Sequence, residues 1–320
     1  MSARADPPIR LGVSSCLLGE AVRYDGGHKR DLFLTDLLGR HVEWVPVCPE
    51  LEAGLGVPRP AMRLEREGRR IRLREISSGR DHTARMQRFA ARRLRALRAL
   101  ELCGYVLKKD SPSCGMTRVK LYGEKGAARR EASGLFAAAL QATWPSLPLE
   151  EEGRLHDPAL RENFIERVFA YRRLRDLFRG RWSAARLVGF HTAHKLQLMA
   201  HSQQIYAELG RQVATQKRIP RAELRRRYSE AFMRALARVA TRGRNANVLQ
   251  HAAGHLKEQL DAPARAELAA LIHDYRRGLV PLVVPITLLH HHARAHAVAY
   301  LQGQTFLEPH PRELMLRNEV

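Results

Sequence analysis

Residues 9–19, IRLGVSSCLLG, carry the strongest indication of the fold, because a short run of apolar and β-branched residues passes directly into small residues, a cysteine and a glycine. Residues 9–14 are typical of a buried strand, and the residues after them are typical of a loop. The same order of strand and loop returns at residues 42–48 (VEWVPVC) and 105–115 (YVLKKDSPSCG). We therefore expect an α/β domain with a mainly parallel sheet.

The rest of the chain divides into two parts. Two more strands are predicted at residues 69–75 and 147–150, with helices at 81–102 and 133–143. From about residue 157 the spacing is helical, and six helices are predicted at 158–179, 183–209, 221–241, 245–260, 263–277 and 286–302. The sequence predicts an α/β domain over residues 1–152 and an all-helical domain over residues 157–320.

The charge balance points to a polyanionic partner. The 320 residues carry a net charge of +22, and 47 of the 55 basic residues are arginine. Arginine makes bidentate contacts to phosphate and stacks on bases, so nucleic acid is the favoured partner. A genome rich in arginine codons would explain the same composition, and the two causes can coexist.

Several classes of protein are not expected. No run of 18 apolar residues is long enough to span a membrane, and the first ten residues lack the apolar core of a secretory signal. Four cysteines in a chain of this length do not make a disulfide scaffold. We therefore expect a cytoplasmic protein with reduced thiols and no membrane contact, and nothing in the sequence predicts a protein partner.

Three of the four cysteines follow predicted strands. Cys16, Cys48 and Cys114 each lie in the loop after one. The carboxyl ends of parallel strands share one edge, so these thiols are expected to converge. Three thiolates can hold a [4Fe–4S] cluster with one iron not bound by the protein, or a catalytic zinc with an open position. Loop cysteines with no ligand role remain the alternative, and Cys103 is expected in the core.

Polar residues near these cysteines are candidates for chemistry. Glu50 is a candidate general acid or base, and Ser111 and Ser113 could hold a substrate or water. A second group, near the loops in sequence, is predicted to contact substrate: Ser14, Ser15, Arg23, Tyr24, Asp25, Arg59 and Lys109. A solvated turn explains the Arg23–Tyr24–Asp25 segment as well as a binding loop does.

Three motifs resemble a known family. VSSCLLGEAVRYDGG (13–27), VCPELEAGLGVPRP (47–60) and LKKDSPSCG (107–115) are similar to the signature segments of the thiouracil desulfidase (TudS) family. The second half, with FHTAHKLQLMAHS (190–202) and YAELG (206–210), resembles a helical domain that is fused to such domains in desulfidases acting on 4-thiouridine in tRNA. The resemblance covers nearly the whole chain.

The resemblance implies a function. Cys16, Cys48 and Cys114 would hold a [4Fe–4S] cluster whose fourth iron binds the thiocarbonyl sulfur of a thiolated uracil. Water would then replace the sulfur without net redox chemistry, giving uridine and sulfide, with Glu50 and the two serines of the third motif assisting. The expected substrate is 4-thiouridine in tRNA, and a thiolated nucleoside or free base also fits.

In the helical half, the basic residues are the better candidates for RNA contact. Arg225, Arg226, Arg227 and Lys195 are predicted to follow an RNA backbone, although a solvated helix face is the alternative. The pair His191 and His194 lacks a further ligand at helical spacing and is a weak metal site.

Two other functions remain open. The protein could be a metal-free hydrolase that uses one of its cysteines as nucleophile. It could also be a non-catalytic nucleic-acid-binding protein, which would leave thiouridine unchanged.

Overall fold

The computed structural model of the chain describes residues 8–123 and 126–320. The chain divides into two compact units between His156 and Asp157. The expectation that the first ten residues lack the apolar core of a secretory signal concerns mainly residues 1–7, which lie outside the described residues.

The first unit consists of strands and a few helices. Its described strands are β1 (Arg10–Ser14), β2 (Glu43–Val47), β3 (Met62–Glu67), β4 (Arg70–Glu75), β5 (Gly104–Leu107), β6 (Val119–Tyr122), β7 (Ala128–Ala132) and β8 (Leu149–Glu151). Its described α-helices are α1 (Pro49–Glu52), α2 (Thr83–Arg98) and α3 (Leu135–Thr143).

The first sheet is parallel throughout and has the strand order β2-β1-β5-β8. Gly12 of β1 lies opposite Tyr105 of β5, and a Cβ atom on Gly12 would come within 2.1 Å of the tyrosine ring. Glycine at this position therefore lets the ring lie across its neighbouring strand. The α/β fold with a parallel sheet is confirmed.

The second sheet is mixed and has the strand order β4-β3-β6-β7. Strands β3 and β6 are parallel, whereas β4 and β7 pair antiparallel to their neighbours. Of these four strands, only β4 was predicted. The sequences of β3 (MRLERE) and β7 (ARREA) are mostly charged, because much of their surface is exposed, and charged strands lack the apolar alternation that marks a strand.

Helices α2 and α3 pack over apolar residues of the first sheet. The rings of Phe89 and Tyr105 each lie 6.1 Å from the ring of Phe136. Helix α2 ends at Arg98, earlier than the predicted end at residue 102. Glu101 takes a positive φ of 53°, which an α-helix does not allow.

The second unit is helical. Residues 157–320, all of which the structure describes, form α4 (Pro158–Leu177), α5 (Ala184–Ala193), α6 (Lys195–His201), α7 (Gln203–Ala214), α8 (Arg221–Leu236), α9 (Arg242–Gly254), α10 (Ala262–Arg277), α11 (Val283–Ala295) and α12 (Ala299–Gln302). The predicted number of six helices was wrong. Residues 183–209 break after Ala193 and again at Ser202, where no proline or glycine marks a boundary.

A buried ionic cluster lies within this unit. Glu166 of α4 accepts hydrogen bonds from His201 (2.9 Å) and Gln197 (2.8 Å), and the side chains of Glu166 and His201 are only 3% and 2% exposed. Arg317 donates to Glu162 at 3.0 Å and lies 3.8 Å from Glu166. These partners compensate the charges that the helices bury.

Candidate active site

The carboxyl ends of β1, β2 and β5 bring three cysteines to one cavity. Cys16 lies in a 3-10 turn directly after β1, Cys48 directly follows β2, and Cys114 lies in the loop after β5. All three line a space of about 400 Å³, which we call the thiol cavity. Cys103 is buried beside the start of β5 and is not among its lining residues.

Hydrogen bonds from backbone N–H groups to side-chain oxygens fix the loops that carry the cysteines. The Ser111 hydroxyl accepts from the backbone N–H groups of Ser113 (3.2 Å) and Cys114 (3.0 Å). The Ser14 hydroxyl accepts from the N–H of Lys108 at 3.0 Å, which ties the end of β1 to the end of β5. The Glu52 carboxylate accepts from the N–H of Cys48 at 3.0 Å. The positions of the thiols are therefore determined by the fold.

Cys16 and Cys114 are buried, and Cys48 is half-buried. Burial raises the pKa of Cys16 to about 11, although the Lys108 ammonium opposes this change. Burial also raises the pKa of Cys48, against hydrogen bonding from the backbone of Leu51, and raises the pKa of Cys114 well above its usual value. Free thiols in this state are protonated near neutral pH and are poor nucleophiles. A bound metal would take the place of their protons.

The donor set suits an iron–sulfur cluster. Three soft sulfur ligands come from three different loops, so they surround a cavity instead of clustering on one turn. In the part of the chain that the structure describes, no three His, Cys, Asp or Glu side chains gather around a single metal position. The cavity that the thiols line has a volume of about 400 Å³, so it has room for a group of several atoms, and three cysteines would leave one iron of a [4Fe–4S] cluster without a protein ligand.

One wall of the thiol cavity is a buried ion pair. The Arg59 side chain, which is 4% exposed, donates from Nε to Glu50 Oε2 at 2.9 Å and from Nη2 to the same oxygen. Nη1 of Arg59 also donates to the carbonyls of Val22 (3.1 Å) and Gly56 (2.8 Å). Arginine thus fixes the carboxylate of Glu50 and the loop that leads to Tyr24.

The structure places most, but not all, of the predicted site residues on the thiol cavity. Those that line it, besides the cysteines, are Glu50, Ser111, Ser14, Ser15, Arg23, Tyr24, Arg59 and Lys109. Asp25 and Ser113 are not among the lining residues. Asp25 accepts from the N–H of Gly27 at 3.0 Å and pairs with Arg23, so it shapes the turn. Ser113 is fully buried in the loop.

Sequence reasoning missed a second ion pair at the cavity. Lys108 lines the cavity and pairs with Glu152, which directly follows β8. The other oxygen of Glu152 accepts from the backbone N–H of Lys109 at 2.8 Å. The sequence could have indicated Glu152, because this residue follows a predicted strand, just as Cys16, Cys48 and Cys114 do. Lys29, Met62 and Asp110 also line the cavity.

The predicted RNA contacts lie on different helices of the second unit. Arg226 and Arg227 of α8 both pair with Glu223, and Arg226 also pairs with Glu230. The guanidinium of Arg225 lies 5.8 Å from the ring centre of Phe178. Lys195 begins α6, and its ammonium lies 5.8 Å from the ring centre of Tyr300. The structure therefore does not gather these four residues into one patch of unpaired charge.

Two histidines of the second unit, His191 and His194, serve the core. His191 hydrogen-bonds the Tyr228 hydroxyl at 3.1 Å, and His194 stacks on Phe190 with ring centres 3.9 Å apart.

None of the helices that the structure describes is long and apolar enough to cross a membrane.

Comparison with known proteins gives two family matches. Residues 11–152 match the family described as 2-thiouracil desulfurase, and residues 195–311 match a family described as a protein of unknown function, DUF1722. The thiol cavity lies within the first match.

Individual proteins are similar over parts of the chain. Uncharacterized protein YbgA of Escherichia coli (strain K12) is 33% identical over 158 residues, which are 49% of this chain and 94% of that protein. Uncharacterized protein YbbK of Bacillus subtilis (strain 168) is 33% identical over 108 residues, 32% of this chain and 71% of that protein.

A solved structure, titled [4Fe-4S]-dependent thiouracil desulfidase TudS, matches with 33% identity and a TM-score of 0.39, covering 48% of this chain and 96% of that one. The family matches agree with the motifs around Cys16, Cys48 and Cys114 and with the helical second half. By its residues 11–152, the chain belongs to the 2-thiouracil desulfurase family.

Proposed function

We propose that this protein is a [4Fe–4S]-dependent desulfidase that converts 4-thiouridine in tRNA to uridine and releases sulfide. The observation that carries the proposal is the meeting of three thiols from three strand ends at one cavity of about 400 Å³. A cavity of this size accepts a pyrimidine ring beside the cluster. Membership in the 2-thiouracil desulfurase family supports thiolated uracil as the substrate class.

In this proposal, Cys16, Cys48 and Cys114 hold the cluster. When bound, the cluster supplies a Lewis-acidic iron for the thiocarbonyl sulfur. The overall reaction balances without an oxidant or reductant, since water supplies the new carbonyl oxygen, the carbon–sulfur bond breaks, and sulfur leaves with the protons of water.

The residues of the cavity wall would orient the substrate and move protons. Arg59 fixes Oε2 of Glu50, so this carboxylate is in position to hold a water or a ring N–H. The half-exposed ring of Tyr24 lies at the cavity and can stack on a pyrimidine. Ser111 positions the Cys114 loop, and Lys108, which pairs with Glu152, places a positive charge near Cys16.

The RNA part of the proposal rests on charge. A base in folded RNA has to leave its stack to reach a cavity of this kind. The net charge of +22 favours binding of the surrounding phosphates. Arg225, Arg226, Arg227 and Lys195 remain the proposed contacts, and Arg226 and Arg227 would exchange Glu223 for phosphate on binding.

A pair of cysteine variants tests the catalytic part. Cys16→Ala in the anaerobically reconstituted full chain should lower bound iron, abolish the broad visible absorption and stop conversion of thiolated tRNA, as measured by nucleoside analysis. Cys103→Ala is the matched control, because this thiol is also buried but does not line the cavity. Equal iron and equal turnover in the two variants would refute the proposal. Turnover by a colourless, iron-free protein would favour the hydrolase, and tRNA binding without turnover by the iron-loaded protein would favour a binding protein.

A further inference from the structure

A second and larger cavity lies in the helical unit, and it shares only Arg317 with the buried ionic cluster described above. It has a volume of about 590 Å³ and lies between α11 and the segment 307–318. Residues of α11 at helical spacing form one side, namely Val283, Ile286, Thr287, His290, His291 and Arg294. We call this space the α11 cavity. Its volume is typical of a pocket for a small molecule.

The charged groups of the α11 cavity are mainly basic. Its arginines are Arg294, Arg312 and Arg317, and its lining includes one carboxylate, that of Glu308. Arg312 pairs with Glu308, and Arg317 is held by Glu162. Arg294 is exposed at the cavity, and within residues 8–123 and 126–320 no carboxylate pairs with it. The cavity therefore offers a free guanidinium to an anion.

A buried histidine in the lining has an unsatisfied nitrogen. The His310 side chain is 4% exposed, and its Nδ1 lies 3.3 Å from the carbonyl of Pro311, to which it can donate. Nε2 of His310 is buried and has no hydrogen-bond partner among the described residues, since the Glu162 carboxylate is 3.7 Å away. This nitrogen faces the carboxylate of Glu162 without a hydrogen bond, so the lining keeps a polar group whose hydrogen bonding is incomplete.

The remaining lining suits a flat ring. Ile286, Leu307 and Leu316 are buried apolar residues of the wall. His290 and His291 lie one helical turn before Arg294, and His290 accepts a hydrogen bond from Arg312 at 3.0 Å. Imidazole rings stack on nucleobases, and aliphatic side chains pack against them. The cavity therefore combines a surface for a base with a guanidinium for a phosphate.

We propose that the α11 cavity binds a nucleoside monophosphate, with the phosphate at Arg294 and the base between the apolar wall and the histidines. Neither the thiol cavity nor the proposed desulfuration is needed for this binding. The same group could belong to a free nucleotide or to the end of an RNA chain, and both present the same chemistry to the cavity.

Calorimetric titration of the full chain with uridine 5′-monophosphate tests the proposal. Arg294→Ala should weaken binding at least about tenfold, since a charge-assisted hydrogen bond to phosphate is lost. Arg277→Ala is the matched control, because Arg277 is an exposed arginine of the same unit that does not line the cavity. It should leave the affinity unchanged. The proposal would be overturned if the nucleotide did not bind, or if Arg294→Ala left its affinity unchanged. Binding at the thiol cavity alone would give the second of these results.

Three further measurements do not depend on the variants. Inorganic phosphate and hexyl phosphate should each bind more weakly than the nucleotide, and equal affinity of hexyl phosphate would refute a nucleotide site. Hydrogen–deuterium exchange of the unaltered protein should slow in residues 283–295 and 307–318 when the nucleotide is added. Unchanged exchange in both segments would also refute the site. A short RNA with a terminal phosphate, compared with the free nucleotide, shows which source binds more tightly.

Discussion

Arg59 is the residue that joins the charged wall of the thiol cavity to the loop before Tyr24. Its guanidinium donates to Glu50 and to two backbone carbonyls, so it uses its planar fork in three directions. A lysine ammonium carries the same charge but cannot keep these contacts together. The role of Arg59 is therefore geometric as well as electrostatic.

This geometry predicts the effect of Arg59→Lys. We expect kcat for desulfuration to fall by about 10²-fold, since a displacement of about 1 Å in a positioning group has effects of this size. Bound iron should stay the same, because no cysteine is changed. Arg63→Lys is the control, since Arg63 pairs with Glu65 but does not line the cavity. Parallel loss of iron and activity in Arg59→Lys would contradict a positioning role.

At the level of single residues, the sequence allowed prediction of those cavity residues that lie in a loop directly after a strand. Cys16, Cys48 and Cys114 could be named because strand ends are visible in the sequence. Glu152 could have been named by the same reasoning, but its pairing with Lys108 could not, because that depends on β5 and β8 being neighbours in the sheet. Ser113 also shows the limit, since the sequence cannot show which serine of a short loop turns into the core.

Among the elements, the loop that carries Cys114 depends on close contact with the residue before α3. A Cβ atom on Gly134 would lie 2.5 Å from the carbonyl carbon of Ser113 and 2.9 Å from the N atom of Cys114. Both are backbone atoms, so a side chain at this position has to displace the loop. The backbone of Gly134 is itself unstrained, with φ of −59°.

We therefore predict that Gly134→Ala lowers bound iron and desulfidase activity together, because Cys114 moves with its loop. Iron per chain and visible absorption measure the first effect. Gly189→Ala in α5 is the control, since a Cβ atom there meets no other atom within 4 Å. This control should keep its iron and gain about 0.5–1 kcal/mol of stability, as expected for alanine in a helix. Full iron in Gly134→Ala would show that the loop tolerates the shift.

The pair of α4 and α6 holds a histidine that has to be charged. His201 lies 2.5 Å from the carbonyl of Arg238 through Nδ1 and 2.9 Å from the carboxylate of Glu166 through Nε2. Both partners are acceptors, so both ring nitrogens carry hydrogen. Burial opposes the charge, but Glu166 outweighs it and raises the pKa of His201, while His201 lowers the pKa of Glu166.

These shifts predict a pH window of stability for the helical unit. A raised histidine pKa adds stability that is complete below about pH 6.5 and is lost as pH rises through the folded-state pKa. A lowered carboxyl pKa adds stability above about pH 4.5 that is lost as pH falls. Thermal unfolding followed by far-ultraviolet circular dichroism should show this window, and His201→Gln should flatten its alkaline side. An unchanged alkaline slope in His201→Gln would contradict the assignment.

The elements also show why parts of the fold were missed. The parallel sheet was predictable because its central strands, β1 and β5, are buried along almost their whole length and consist mainly of apolar residues. The mixed sheet was not predictable, because β3 and β7 consist mostly of charged residues and lack an alternation of apolar and polar residues. The breaks at Ala193 and Ser202 are made by tertiary packing and by a serine cap, which is a weaker signal than proline.

For the whole molecule, the dominant feature is the net charge of +22. If tRNA is the substrate, its affinity should fall steeply with salt, because each neutralised phosphate releases counterions. We expect KM for thiolated tRNA to rise at least about 10³-fold between 50 and 200 mM salt, the change typical of six or more phosphate contacts. KM for free thiouracil should change little. Equal salt dependence for the two substrates would argue against RNA recognition.

The three sulfurs of the thiol cavity come from distant parts of the polypeptide, and β5 pairs on both sides, with β1 and with β8. During synthesis on the ribosome, the rim that gathers them is complete only after residue 151 has left the exit tunnel, since β8 ends there. Nascent chains shorter than this carry the cysteines before the sheet is complete. The complete sheet edge at the thiol cavity therefore forms only after the first unit has been translated.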